Sequence, residues 1–235
     1  MLEGKLNEFG VYRFQQIAQW SSQQVEEFGE LLAFPDRIRR DQWILQARRL
    51  HEWGHLTEEH AEYGRIYREE PTDPDELTRL SGLNTAQATK LNQLGIWTFD
   101  QCCNWSDAQC EAVAQKIGVK GGMASDWRTA AMDEYDLKHN ATIDDKLGLL
   151  FSRAPRRQDD LKRIYGVAKV LEGELHKFGV FWFSQIANWS EPVVDEFAQC
   201  LTFPDRVWRD DWIGQCTELK DMPGDAPMKK PAKKK

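Results

Sequence analysis

The stretch FGVYRFQQIAQWS at Phe9–Ser21 returns as FGVFWFSQIANWS at Phe178–Ser190, 169 positions later. FPDRIRRDQWI from Phe34 and FPDRVWRDDWI from Phe203 keep the same spacing. A more divergent middle copy, LGIWTFDQCCNWS from Leu94, lies 84 residues before the third. The intervening segments repeat as well, since GRIYREEP from Gly64 matches GLLFSRAP from Gly148, again 84 apart. The chain is therefore three copies of one unit, and each copy after the first has its own lead-in segment. Leu2, Glu3 and Gly4 align with Leu171, Glu172 and Gly173, which places Met1 inside a helix and leaves the first copy without an opening hairpin. Two readings stay open here: the protein begins further upstream, or this copy has lost its opening.

Within a unit the pattern is helical. Val25, Phe28 and Leu32, like Val194, Phe197 and Leu201, follow i, i+3, i+7 spacing and give each helix one apolar stripe. Ser21, Ser106 and Ser190 stand just before such stripes, where a hydroxyl caps free N–H groups, and Asp107 and Glu191 suit the positive end of the helix dipole. A last helix starting near Asp41 places Trp43, Ile44, Ala47 and Leu50 on one face, as Trp212, Ile213, Cys216 and Leu219 do in the third copy. No period-two alternation runs long enough to predict a sheet. The expectation is an all-α fold of three small helical domains joined by linkers. Residues 1–54 form a truncated first repeat, 55–74 a linker, 75–134 the second repeat, 135–158 a linker, 159–221 the third and 222–235 a disordered Lys-rich tail. TDPDE and RAPRRQ read as flexible parts of the linkers.

Most conspicuous side chains have a structural explanation. Trp20, Trp105 and Trp189 share one repeat position, and Trp43, Trp127 and Trp212 another. Burying a large apolar side chain contributes about 1.5–3 kcal/mol, and a unit of roughly 60 residues is marginal alone, so a core role is favoured over a stacking platform. Cys102, Cys103, Cys110 and Cys200 align with Ile, Ala, Val or Leu in sister copies and read as small apolar fillers. Five cysteines without a C-x-x-C pair indicate neither a disulfide framework nor a zinc ribbon. His51 to His55 spell H-E-W-G-H, formally the zinc-peptidase pattern, but Gly54 weakens that helix and nothing in the sequence supplies a substrate-holding sheet. The pairs Asp144-Asp145, Asp159-Asp160 and Asp210-Asp211 do not converge on one ion, because helical neighbours point about 100° apart; helix capping accounts for them. No catalytic constellation, metal site, cofactor or small-molecule substrate is expected, and the chain reads as non-enzymatic.

The third lead-in, DDLKRIYGVAKVLEGELHKFGV, resembles the helix-hairpin-helix family, and more closely the tandem flap-endonuclease-like helix-three-turn-helix domains. Similar segments are appended to some bacterial NADH dehydrogenase subunits and to some ribosomal L21 proteins. The resemblance covers the repeats, and D-D-L-K-R-I-x-G together with R-D-D-W-I is its most specific part. It implies an all-helical module often taken as DNA-binding by analogy, although in those appended settings it has no obvious nucleic-acid task. In the family a G-h-G turn offers backbone N–H groups to phosphate. Gly166 matches the first glycine and Ala168 replaces the second; in the middle copy Gly82 matches and Asn84 replaces it. Asn tolerates a left-handed backbone better than Ala, so the third turn is expected to be the poorer cradle. Lys162, Arg163 and Lys169 are the nearby cations in the third copy, and Arg79 and Lys90 in the second.

Charge argues against a general grip on a polyanion. The whole chain carries −7. Residues 159–219 hold six cations against eleven anions, residues 73–134 five against nine, and residues 1–50 balance at seven each. Arg37, Arg39, Arg40, Arg48 and Arg49 gather late in the first copy, as a basic patch or simply a solvated face. The tail lysines Lys229, Lys230, Lys233, Lys234 and Lys235 sit among Pro and Ala, suiting a loose hold on RNA, DNA or an acidic protein. No apolar run approaches the roughly 18 residues needed to span a bilayer, and MLEGKLNEFG lacks a signal-peptide core, so no membrane contact and a cytoplasmic location are expected. Two readings follow: an interaction or scaffold protein docking on a larger protein assembly, or a sequence-nonspecific DNA/RNA binder.

Overall fold

The computed structural model describes residues 2–34, 36–55, 57–201, 206–222 and 228. The chain is all-α in its repeats. The first repeat runs α1 (Leu2–Glu8), α2 (Phe14–Ala18), α3 (Ser22–Leu31), α4 (Arg37–Arg40) and α5 (Trp43–His55). A hairpin of β1 (Thr57–His60) and β2 (Gly64–Tyr67) follows. The second repeat comprises a 3-10 turn at Leu77–Arg79, then α6 (Thr85–Gln93), α7 (Phe99–Cys103), α8 (Asp107–Ile117) and α9 (Gly121–Asn140). After the hairpin β3 (Ala141–Asp144) and β4 (Gly148–Phe151), the third repeat has a 3-10 turn at Leu161–Arg163. Its helices are α10 (Lys169–Lys177), α11 (Phe183–Ala187), α12 (Glu191–Cys200), α13 (Arg206–Arg209) and α14 (Trp212–Leu219). By contacts the chain divides into two compact units, residues 1–127 and 128–235.

The two β-hairpins correct the expectation of no sheet. Each is antiparallel, with Thr57 opposite Tyr67 and His60 opposite Gly64 in one, Ala141 opposite Phe151 and Asp144 opposite Gly148 in the other. Four-residue strands are too short for an alternation signal, but their turns are legible in retrospect. Each three-residue tip closes on a left-handed glycine, Gly64 at φ +73° and Gly148 at φ +76°. Asp144 accepts from the N–H groups of Lys146 and Leu147, both at 2.9 Å, so this carboxylate caps a hairpin turn and not a helix start.

The apolar stripes form the cores. In the third repeat Leu171, Leu175, Val180, Phe183, Ile186, Val194, Phe197, Trp212 and Cys216 pack together, and Trp212 and Phe197 have no solvent-exposed surface. Trp189 stacks on Phe197 with ring centroids 4.2 Å apart, and Trp20 stacks on Phe28 at the same distance in the first repeat. Cys102, Cys103, Cys110 and Cys216 are buried thiols, whereas Cys200 is exposed, like Leu31 at the aligned position. Burial pushes the Cys102 thiol up, away from the reactive thiolate. Ser21 and Ser106 each accept from the N3 amide at 3.2 Å. Ser190 makes no such bond, and Pro192 follows it in the first turn of α12. Leu50, expected on the buried face of α5, is 42% exposed.

The segments read as flexible linkers are held at many points. In the first unit Asp75 N–H donates to Trp97 O at 2.9 Å, and the Asp75 carboxylate accepts from Phe99 N–H at 2.6 Å. In the second unit Asp159 repeats both bonds, with Phe181 O at 3.0 Å and Phe183 N–H at 2.6 Å. RAPRRQ is fastened further: buried Asp136 accepts from Arg156 N–H at 2.6 Å, Asn140 donates to Arg153 O at 2.9 Å, and Trp182 Nε1 donates to Arg157 O at 2.7 Å. These backbone groups have fixed partners, which is incompatible with a loose tether.

Candidate functional site

The sequence points to the turn before α6 and the turn before α10. Both have the same backbone. Gly82 (φ +78°) and Gly166 (φ +97°) are left-handed, and two residues later Asn84 (φ −94°) and Ala168 (φ −110°) are extended N-caps. The second position therefore demands no left-handed conformation, and alanine stands there without strain, which corrects the expectation of a damaged third turn. The two positions differ in capping. Asn84 accepts from Gln87 N–H at 2.9 Å while Gln87 Oε1 accepts from Asn84 N–H at 2.8 Å, a reciprocal box that occupies two amides. Ala168 has no side chain to offer, so α10 starts without a side-chain cap.

The electrostatics around these turns are acidic. Lys162 Nζ lies 2.6 Å from Asp160 and 3.0 Å from Glu172, and these two carboxylates raise its pKa. Asp210, 5% exposed, stands directly against the hairpin glycine: a Cβ on Gly166 would meet its Oδ2 at 2.5 Å. Arg206 donates to Gly166 O at 2.9 Å. Arg163 is buried at 9% exposure, its guanidinium 5.6 Å from the Phe183 ring centre. Lys169 is exposed at the start of α10. In the second repeat Lys90 Nζ donates to Ile117 O at 2.7 Å, which caps the end of α8. The cations that the sequence gathers at the hairpins are thus mostly engaged by the protein's own acceptors.

The arginine cluster is similarly paired. Arg37 and Arg40 share Asp41 at 3.1 and 2.9 Å, Arg39 meets Glu26 at 2.7 Å, and Arg49 meets Asp100 at 3.5 Å. The hydrogen bond from Arg40 holds the Asp41 carboxyl below its usual range. Arg48 is exposed. The tail lysines Lys229, Lys230, Lys233, Lys234 and Lys235 lie outside the described residues, as do the side chains of Glu52, Trp53, Gly54 and His55 in the H-E-W-G-H stretch. Among the described residues no group of three or more His, Cys, Asp or Glu side chains is placed to hold a metal ion. None of the described helices is long and apolar enough to cross a membrane.

Sequence reasoning missed a glutamine clamp. Buried Gln185 Oε1 accepts from Phe181 and Trp182 N–H at 2.7 and 2.9 Å, and its Nε2 donates to Gly179 O at 2.9 Å and to Leu149 O of β4 at 2.8 Å. Gln101 repeats this in the second repeat, accepting from Trp97 and Thr98 and donating to Gly95 O and to Arg65 O of β2, both at 2.8 Å. Beside each clamp the strand's last residue returns a bond: Tyr67 N–H to Gly95 O at 2.8 Å and Phe151 N–H to Gly179 O at 2.9 Å. The lead-in hairpin is thereby docked on its repeat. The signal was present in the sequence, since Gln16, Gln101 and Gln185 hold one polar position inside an otherwise apolar motif in all three copies.

One group at the α9 joint titrates abnormally. Burial pushes the Asp133 carboxyl from 3.8 up to about 6, despite Arg157 2.7 Å away. The folded state thus holds a proton more tightly than the unfolded chain, and the stabilisation this gives is present at low pH and lost as pH rises through about 6. Asp133 is 36% exposed, so solvent screening moderates the effect. Asp133→Asn is expected to flatten the change in thermal midpoint of residues 128–235 between pH 4 and pH 7, measured by circular dichroism. An unchanged slope would refute this assignment.

Known proteins share this architecture in part. The chain is 41% identical over 69 residues to a large ribosomal subunit protein bL21 from Jannaschia sp. (strain CCS1), covering 29% of this chain and 27% of that protein. The corresponding protein of Roseobacter denitrificans is 44% identical over 61 residues, 26% of this chain and 28% of the relative. An uncharacterized 22.9 kDa protein in the nqo2 3' region of Paracoccus denitrificans is 42% identical over 69 residues, 29% and 32% of the two chains. The chain thus spans less than a third of the length of these relatives. No solved structure matches it significantly. The family described as the RS2/RL21/YNQ2 HHH domain matches residues 1–51, 77–133 and 161–220, the three repeats carrying the left-handed hairpin glycines and the glutamine motif. With most of its length so matched, the chain belongs to the RS2/RL21/YNQ2 helix-hairpin-helix domain family.

Proposed function

We propose that this chain is a non-enzymatic interaction protein whose tandem modules dock on a larger protein assembly. The observation that carries this reading is the acidic hairpin. Where a phosphate would approach the third turn, Asp210 stands against Gly166 and Glu172 holds Lys162. Both repeats with an intact hairpin carry net negative charge, which opposes a polyanion at long range. A relative with this module is named as a ribosomal subunit protein, which accords with a part appended to an assembly. The tail lysines would add a weak, salt-sensitive contact.

The second reading, a sequence-nonspecific DNA or RNA binder, is favoured by one observation: α10 starts without a side-chain cap, and exposed Lys169 stands at that end. A salt titration separates the two readings. Fluorescence anisotropy with duplex DNA and with single-stranded RNA is expected to give weak binding that vanishes when residues 229–235 are deleted. Binding that stays tight near physiological salt without those residues, and that weakens on Lys169→Glu, would overturn the docking reading. Its logarithmic salt slope, about −0.9 per phosphate neutralised on duplex DNA, would count the contacts.

A further inference from the structure

The first repeat shows aligned residues of the third repeat without their cover. Phe183 is 2% exposed and its counterpart Phe14 51%; Phe181 is 6% exposed and its counterpart Tyr12 71%. Gln185 and Gln215 are buried, whereas Gln16 and Gln46 at the same repeat positions are exposed. Leu171 and Leu175 are core residues, while Leu2 and Leu6 are half-buried and line an open cleft of about 940 Å³ together with Val11, Tyr12, Phe14 and Leu50. What covers this face in the other two repeats is the lead-in: β2 on the second and β4 on the third. A Cβ on Gly95 would meet Tyr67 O at 2.3 Å, and one on Gly179 would meet Phe151 O at 2.4 Å, so the strand lies directly over these glycines. Over Gly10, at φ +80°, there is nothing within 4 Å.

The docking groups are nonetheless set. Gln16 Oε1 accepts from Tyr12 and Arg13 N–H at 2.8 and 2.9 Å, and its Nε2 donates to Gly10 O at 2.9 Å. These are three of the four bonds that Gln185 makes; the fourth, to a strand carbonyl, has no counterpart among the described residues. Gln46 donates to Asp41 O as Gln215 does to Asp210 O, but the second grip of Gln215, on both polar groups of the Tyr165 backbone, is likewise missing. Both clamps therefore face outward, shaped for backbone.

We infer that this face of the first repeat binds a β-strand of the type Gly-x-aliphatic-aromatic, together with its following extended segment, supplied by a partner protein. The two internal examples, Gly64–Tyr67 and Gly148–Phe151, define that chemistry. The carbonyl of the second strand residue accepts from the glutamine, the amide of the fourth donates to the glycine carbonyl, and the aromatic ring enters the apolar cleft. A second copy of this chain is a poor donor, because both of its strands are already docked on their own repeats. The inference rests on the reading of the chain as an interaction protein and assigns it one surface.

The test uses the full chain, labelled with nitrogen-15, and a synthetic peptide of residues 141–168, which contains a complete lead-in. Saturable shifts are expected at the amides of Gly10, Tyr12 and Arg13. Gln16→Ala in the protein should weaken binding about tenfold, the factor that about 1.4 kcal/mol of lost hydrogen bonding gives; Phe151→Ala in the peptide is expected to abolish it. Three results would overturn the proposal. The peptide produces no saturable shift; the shifts fall only around Gly95 and Gly179, as strand exchange would give; or sedimentation shows a dimer in which the Gly10 region is already protected from hydrogen exchange. A negative peptide result would leave the interaction reading to be judged by the nucleic-acid titration, whose outcome does not depend on this face.

Discussion

Gly179→Ala is expected to destabilise the unit of residues 128–235 by about 3 kcal/mol or more. Two costs add. A non-glycine residue at φ +85° suffers left-handed strain of about 1–2 kcal/mol. Its Cβ would also lie 2.4 Å from Phe151 O and 2.8 Å from Phe151 N, both backbone atoms of β4 that cannot swing aside. The strand must lift, breaking the Phe151 N–H bond to Gly179 O and exposing a ring that is now 4% accessible. The molecule holds its own control. Gly10→Ala meets the same backbone strain at φ +80° with open space around the new methyl, so it should cost about 1–2 kcal/mol. Chemical denaturation of each variant, followed by hydrogen exchange at Phe151 and Tyr12, measures both. Equal destabilisation at the two sites would show that β4 is not pressed onto Gly179.

The second large effect concerns the clamp. Gln185→Ala removes a side chain that is 3% exposed and satisfies four backbone groups at 2.7–2.9 Å. The N–H groups of Phe181 and Trp182 and the carbonyls of Leu149 and Gly179 then lose a partner, although Gly179 O keeps its bond from Phe151 N–H. At about 1–3 kcal/mol for each group left buried and unsatisfied, a loss of roughly 3–5 kcal/mol is expected once local relaxation and water entry are allowed for. Gln185→Glu should be nearly as damaging, because a carboxylate has no N–H to offer the two carbonyls. Gln16→Ala, at the exposed counterpart, should cost about 1 kcal/mol, the worth of ordinary solvent-accessible hydrogen bonds. Urea unfolding of the three variants gives the ordering, and a Gln185→Ala protein as stable as Gln16→Ala would contradict the docked-hairpin account.

The helical fold was legible because its determinants are local or repeated. Stripes such as Val194, Phe197 and Leu201, caps such as Ser106, and tryptophans recurring at fixed positions declare amphipathic helices without reference to distant residues. The candidate hairpins were legible for the same reason, since Gly82 and Gly166 mark left-handed turns immediately before a helix. The extended backbone at Ala168 was not, because the family pattern of a second glycine suggested a conformational demand that this turn does not make. The pairing of Lys162 with Glu172, ten residues away, and the seating of Asp210 against Gly166 depend on how separate elements approach each other. A charge count gives the sign of such a neighbourhood without its geometry.

By itself the sequence determined three helical repeats, the residues of their cores and the turns that open two of them. The tertiary structure alone decided that the lead-in segments are docked hairpins, that the hairpin cations are engaged by acids and carbonyls, and that the first repeat presents the same face uncovered. Four-residue strands carry too little periodicity to declare themselves. They are held by a glutamine 36 positions along the chain and by a glycine whose missing side chain lets the backbones touch, and such contacts exist only once the repeat has folded.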